Sequence, residues 1–571
     1  MELQIPRCTF FLVLIAISAC DRHPSADLVV QNGTIYTVSS TQPEAEAVAV
    51  KDGKIVYVGD QVSLASWIGD STEVLDLEGQ TMTPGWIEGH GHFMGMGYNK
   101  LQLDLREVKS YDELVDKVAK AVSQSQPGEW ILGRGWHQSK WTTTPDTLVL
   151  GFQTHQNLSA VSPDNPVYLR HASGHAGFAN AKAMEIAGIG NISVEAPRAE
   201  SPEGGEILRD DLGNPTGVFN ERAMTLITKH IPESTEENDL KALELAVENC
   251  LVYGITTFHD AGVDQYTIDL YKSSIDQGKM KVRLWVMLSG RDSMLLADWY
   301  KHGPEIGYGD NYLTIRSIKM YMDGALGSRG AWLLEPYTDR PGHTGHETTP
   351  IEMLYDISVD GLAHGFQVCA HAIGDRANRE VLDQYEKAFA ENPEAAEDSR
   401  FRIEHAQHIS ADDIPRFKEM GVIAAMQGIH MASDRPWAID RLGEGRIIEG
   451  AYVWQKLLQS GAKIANGSDV PVEPLNPLAS FYASVARKTL EGLPPEGYEM
   501  DQAMTREQAL RSYTLDAAYA GFEEDVKGSI EVGKLADLVV FSKDIMKVAE
   551  DQLLQTEVVY TLVNGEVVYR R

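Results

Sequence analysis

Cysteine is scarce in this chain: 571 residues contain 4. With the first 19 residues set aside, Cys20, Cys250 and Cys369 remain, too few for a disulfide framework in so long a chain. Cys250 in LAVENCLVYG and Cys369 in FQVCAHAIG have apolar neighbours and read as small buried hydrophobes rather than nucleophiles. Positive charge is also short. Fifty Lys and Arg stand against 83 Asp and Glu, so 50 − 83 gives −33 at pH 7. No basic stripe or recognition motif accompanies that balance, which excludes nucleic acid as a partner, because phosphate neutralisation requires Lys and Arg. A Gly-X-Ser-X-Gly elbow is missing, so a serine-hydrolase triad has no anchor. Internal repeats and long low-complexity tracts are absent too.

The longest apolar run near the start, residues 10–17, is too short to span a bilayer comfortably. It follows Arg7 and ends in Ile17-Ser18-Ala19-Cys20, the pattern of a secretory signal. The cysteine after small residues resembles a bacterial lipobox. That resemblance implies a signal peptide over 1–19, cleavage before Cys20, lipidation of Cys20 and a polar tether over 20–26. The expected product is an exported lipoprotein held to the bilayer by acyl chains and facing the periplasm.

The length exceeds what one core fills, so one large and one small unit are expected. Residues 26–40 and 46–60 read as strand–turn–strand units around Asn32-Gly33 and Asp52-Gly53, and 73–85 adds a further strand signal. The far end is also β-rich, with Asn564-Gly565 as a hairpin turn. The simplest arrangement joins 27–85 and 510–571 into one composite β-sandwich, with 86–509 between them as a barrel. In that centre apolar strands alternate with helices, which argues βα units and a parallel sheet. Candidate strands are 86–90, 167–170, 254–259, 282–288, 315–322, 365–371, 401–405, 422–427 and 463–467; candidate helices include 111–122, 240–247, 350–364, 376–389, 411–420 and 451–460. The strand count exceeds eight, and about 105–245 is longer than one βα unit requires and reads as an insertion that shapes the site.

Five stretches put possible metal ligands at the ends of apolar runs. His90 and His92 stand at i and i+2, on one face if extended. Lys319 lies in an apolar stretch before Asp323-Gly324, and a buried lysine is costly unless paired or modified. It is either a lysine snorkelling or bound to Asp323, or an amine carboxylated by carbon dioxide into an anionic bridge. His371 follows FQVCA, His405 ends FRIEH, and Asp469 follows IANGS. Each of these is a metal ligand or, alternatively, a rim histidine or an Asp turn.

The ordered set HxH, Lys, His, His, Asp, together with Gly133-Arg134-Gly135-Trp136, HASGHAGFAN (171–180), MDGALGSRGA (322–331) and GKLADLVVF (533–541), resembles the amidohydrolase superfamily. Within it the pattern is similar to the amidohydrolase-3 branch of YtcJ-like and N-substituted formamide deformylase-like proteins. The resemblance implies an α/β fold, a distorted (β/α)8 TIM barrel with a metal centre at the C-terminal face. It implies that His90, His92 and Asp469 hold one divalent ion, that His371 and His405 hold a second, and that carboxylated Lys319 bridges them, with zinc as the default metal. Glu88 stands where members of the branch often have Asp two positions before the first histidine.

The chemistry expected of such a centre is hydrolysis of a non-peptide C–N bond in a small amide-like molecule. Asp469 would serve as base and then acid, and His175 would contact the carbonyl or leaving group. His137, Trp141 and Arg329 are candidate substrate-binding residues, Arg329 for an anionic group; each has a packing or salt-bridge alternative. Other hydrolase readings are ester, phosphotriester or ring deamination, and the non-enzyme reading is a non-catalytic exported lipoprotein. A homo-oligomer is compatible with the sequence.

Overall fold

The computed structural model describes residues 25–190 and 199–571. The signal peptide, Cys20 and most of the tether expected from the sequence lie outside the described residues.

Eight parallel strands form the centre, each the neighbour of the next in sequence. They are numbered here β1 (Trp86–Gly91), β2 (Ile255–Val263), β3 (Arg283–Ser289), β4 (Leu313–Tyr321), β5 (Gln367–Ala372), β6 (Arg402–His405), β7 (Ile423–Met426) and β8 (Ile464–Asn466). Their side chains are almost entirely buried, because helices cover the outside and the interior is filled, which is why these strands read as continuous apolar runs rather than alternating ones. Between β4 and β8 the connecting helices include Ile351–His364, Asp375–Glu391, Ile414–Glu419 and Trp454–Ser460. The barrel closes where β8 approaches β1. There Asp469 N–H donates to His90 O at 2.8 Å, and His92 N–H donates to Val470 O at 2.8 Å.

The strand at 167–170 is not a barrel strand. It lies within Val167–His171, in a separate mixed sheet of six strands running from Leu103–Asp104 to Pro215–Glu221. Helix Tyr111–Val122 packs on that sheet through Tyr111, Leu114, Val115 and Val118. Periodicity sees an apolar extended run in either case; only pairing assigns it to a sheet.

Both chain ends build a pair of sheets with a shared core that includes Val30, Ile35, Val48, Met82, Leu538, Val540 and Leu562. One sheet has four strands from the N-terminal part; the other has six, with Thr81–Pro84 paired to the C-terminal Leu538–Phe541. The turn at Asn32-Gly33 does not make a hairpin. Leu28–Gln31 belongs to the first sheet and Thr34–Tyr36 to the second, so the turn carries the chain across the sandwich. Helix Leu515–Ala520 lies against the barrel instead of the sandwich, with Ala517, Ala518 and Ala520 packed on Ile87, Ile423 and Ala465.

A buried ion pair ties the two units. Arg283 of β3 donates Nε to Asp537 Oδ2 at 2.6 Å and Nη2 to Asp537 Oδ1 at 2.9 Å. Burial alone would push the Asp537 carboxyl up, but the Arg283 charge and hydrogen bonds outweigh it and hold the group below its ordinary value. With the folded value depressed, the pair's contribution is present above the ordinary carboxylate value of about 4 and is lost as pH falls through the lowered folded value. Arg283→Met should therefore cost about 3–5 kcal/mol at neutral pH, the usual cost of stranding one buried charge. In urea denaturation, the gap to the natural protein should narrow as the pH is taken below about 4; a gap independent of pH would remove the charge from the account.

Candidate metal centre

The C-terminal ends of the barrel strands bring the candidate ligands together. His90 and His92 end β1 with their rings 5.8 Å apart, and a ligand atom from each lies within 4.8 Å of the other and of one from Asp469. Asp469 Oδ1 is 3.3 Å from His92 Nε2 and 3.8 Å from His90 Nε2. Lys319 Nζ rises from β4 to within 3.3 Å of His90 Nε2. His371 from β5 and His405 from β6 face each other with ring centroids 4.5 Å apart, and His405 is 5.0 Å from His90. His430, which the sequence reading did not select, extends the group: it follows β7, its ring is 6.0 Å from that of His405, and its Nε2 is 4.0 Å from Asp469 Oδ2. Its signal in the sequence was the same as that of its neighbours, a histidine shortly after an apolar strand.

Protein atoms alone leave this donor set unsatisfied. Asp469 Oδ1, His371 Nε2 and His430 Nε2 are buried without a hydrogen bond. Burial pushes His90, His371 and His405 well below the ordinary imidazole range, so each keeps a lone pair. Burial would raise Asp469, but the close His92 ring outweighs it and the carboxylate stays ionised. Burial lowers Lys319 to about 8, which enlarges the fraction of neutral amine open to reaction with carbon dioxide. Neutral imidazoles beside an ionised carboxylate are the forms that bind a divalent cation, and the residues present fit one.

Side chains behind these groups fix their orientation. The Glu404 carboxylate lies 2.5 Å from His90 Nδ1 and is held in turn by Arg402 through bonds of 2.8 and 2.9 Å. His405 Nδ1 meets Gln427 Oε1 at 2.8 Å, and His92 Nδ1 meets Ala261 O at 3.1 Å. His405 has φ +75° and Asp469 φ +58°. Such conformations cost about 1–3 kcal/mol, and the surrounding bonds hold them. Asp323 accepts the backbone N–H groups of Trp332, Ile373 and Gly374, so it does not neutralise Lys319; its carboxylate lies 3.3 Å from His371 Nε2.

The remaining candidates divide. His175 comes from the turn between Val167–His171 and Ala176–Ala179 in the insertion sheet, 5.1 Å ring to ring from His371, with Nδ1 2.8 Å from Glu221 Oε2. It lines both cavities that meet at the centre, a narrow one of about 50 Å³ and a wide one of about 830 Å³. His137 lines the narrow cavity beside Trp437, the rings 5.5 Å apart. Trp141 lines neither; it stacks on Tyr111 at 6.1 Å in the insertion's own core, because its indole completes an aromatic cluster there. Arg329 lines neither cavity, its guanidinium being held by both oxygens of Asp339 at 3.1 and 2.8 Å.

This fold and donor set define a metal-dependent hydrolase of the amidohydrolase superfamily. Residues 73–569 match the Amidohydrolase family (Amidohydro_3), and the chain belongs to that family. It is 34% identical over 91% of its length to Protein LONG AFTER FAR-RED 3 of Arabidopsis thaliana, covering 89% of that protein. It is 32% identical over 94% of its length to the putative amidohydrolase YtcJ of Bacillus subtilis, and 29% identical over 95% to N-substituted formamide deformylase of Arthrobacter pascens, covering 98% of each. Among solved structures, an uncharacterized metal-dependent hydrolase from Pyrococcus horikoshii superposes with TM-score 0.71 and 27% identity, over 92% of this chain and 99% of that one.

The support behind His405 is open to test. Gln427→Leu keeps the side chain's bulk and removes its acceptor. Metal affinity, measured by chelator competition, should fall about 10–100-fold with secondary structure unchanged; unaltered affinity would exclude His405 as a ligand oriented by Gln427.

Proposed function

We propose that the protein hydrolyses a non-peptide carbon–nitrogen bond in a small amide-like molecule. The observation that carries this reading is the ionised Asp469 carboxylate set among neutral imidazoles and lining a wide cavity. The similarity to N-substituted formamide deformylase over most of both chains supports the bond type.

His90, His92 and Asp469 would hold one divalent ion, and His371 and His405 a second, with zinc suited to both sets. Lys319, once its neutral amine has bonded to the carbon of carbon dioxide and released a proton, would offer two oxygens between them. Bound there, the ions supply an acidified water and a polarised carbonyl.

The chain's own groups do the rest. Asp469 takes a proton from the attacking water and returns it to the departing nitrogen as the C–N bond breaks. His175, its Nδ1–H held by Glu221, would turn Nε2 toward the substrate's carbonyl or leaving group. His137 and Trp437, which line the narrow cavity, would limit the entry of water there. We also read residues 1–19 as an export signal cleaved before a lipid-modified Cys20, which would keep this chemistry at a membrane surface.

Three measurements decide. Protein prepared without chelator should contain two zinc ions per chain by elemental analysis, and native mass should exceed the chain and its bound metal by one carbon dioxide, absent in Lys319→Ala. N-formyl and N-acetyl amines should be hydrolysed, with kcat falling by about 10²–10⁴ in Asp469→Asn. Hydrolysis of matched esters or ring amines but of no amide would replace the C–N reading, and metal that cannot be restored would sink it.

A further inference from the structure

The wide cavity has an unusual wall for so acidic a chain. Arg134, Arg170, Arg222 and Arg291 all line it, and among the described residues none of the four forms an ion pair. Several guanidinium groups elsewhere in the chain find carboxylates, as in Arg283 with Asp537, Arg402 with Glu404 and Arg435 with Glu499. With 83 acidic residues against 50 basic ones, unpaired arginines converging on one space call for a reason.

Their existing bonds are few. Arg134 gives Nη2 to Ala172 O at 3.2 Å, Arg170 gives Nε to Gly174 O at 3.2 Å, and Arg291 gives Nη2 to Thr349 Oγ1 at 3.2 Å. The Arg291 guanidinium also lies 4.8 Å over the Tyr321 ring, which fixes its direction. Arg134 is only 8% exposed, yet its Nε has no partner, and the Tyr168 hydroxyl, 5% exposed on the same wall, has none either. Two buried donors without acceptors thus border a cavity, where a bound group can reach them.

The carboxylates of the same cavity have partners of their own, although Glu221 Oε1 and Asp469 Oδ1 have none. Asp260 accepts from Phe93 N–H and the Tyr271 hydroxyl, Asp264 caps a helix through Thr267 N–H, and Asp323 accepts three backbone N–H groups. Glu221 holds His175, and Asp469 belongs to the metal centre.

We propose that this arm of the cavity is an oxyanion subsite. The substrate would carry a carboxylate- or phosphate-type group, received by Arg134, Arg170 and Arg291 with the Tyr168 hydroxyl, while its scissile bond reaches the centre beside His175. The subsite deepens the amide-hydrolase reading and rests on it for the word substrate. Arg329, which the sequence offered for such a group, is closed to it by Asp339. Guanidinium pairs are suited to the task because their donors match two oxygens at once.

The test uses the full, metal-loaded protein and two independent readouts. The first is kcat/KM for matched N-formyl amines that end in a carboxylate, a phosphonate or a neutral carboxamide. The oxyanionic pair should exceed the carboxamide by about tenfold or more, mostly through KM, and the ratio should shrink as salt rises. Arg291→Gln and Arg134→Met should each narrow the ratio, while Arg329→Gln should not. The second readout is calorimetric binding of benzoate, phenylphosphonate and benzamide.

If no amide is cleaved but the two anions bind and lose affinity in Arg291→Gln, the subsite stands and the amide reading fails. If neutral amides are cleaved as well as anionic ones and the arginine substitutions leave anion binding unaltered, the subsite is overturned while the amide reading survives. The order of carboxylate and phosphonate identifies which oxyanion the wall prefers. Arg291 reaches its position from the loop after β3, so its variant keeps the test decisive should Arg134→Met fail to fold.

Discussion

The barrel has to close, and its closing seam is where the candidate metal ligands gather. The backbones of β1 and the β8 end approach so tightly that a side chain on Gly89 would lie 2.5 Å from Asn466 O, and one on Gly467 would meet Glu88 Oε1 at 2.5 Å and His90 N at 2.7 Å. Across the gap Ser468 gives its N–H and hydroxyl to the buried Glu88 carboxylate, and Asp469 N–H reaches His90 O. These bonds set Asp469 beside His90 and His92 even though more than 370 residues separate them along the chain. Glu88 therefore acts on the seam, where the longer side chain reaches the opposite loop.

Beneath the seam the barrel interior carries charge instead of a purely apolar filling. Arg402 gathers Glu404, His259 Nδ1 at 3.0 Å and Gly89 O at 2.7 Å, and Glu404 leads up to His90. An isolated buried ion of this kind would be unaffordable; paired and hydrogen-bonded, it supports the ring above it. The same low-dielectric surroundings keep the upper imidazoles neutral and make Lys319 easy to deprotonate. One environment thus acts on both kinds of candidate ligand.

The insertion completes what the barrel begins. His137, His175 and Glu221 come from it, as do Arg134, Arg170 and Tyr168 on the wall of the wide cavity. The barrel provides the donor cluster, and the insertion and the loops after the barrel strands share the walls of the cavities.

The alternation of apolar strands and helices was enough to specify βα units, because burial on both faces leaves its mark on composition residue by residue. Hydrophobic runs ending in His, Lys or Asp likewise marked the side chains at the strand ends, and a hairpin such as Asn564-Gly565 was legible from the local turn chemistry. Tertiary structure alone decided that Asn32-Gly33 joins two sheets, that 167–170 pairs within the insertion, and that His430 stands with His405. It also decided that Trp141 is packing and that Arg329 is neutralised while Arg134, Arg170 and Arg291 are not. The reason is range: propensity and periodicity act over a few neighbouring residues, whereas strand partners, counter-ions and cavity walls are chosen among groups far apart in the chain, and only packing brings those together.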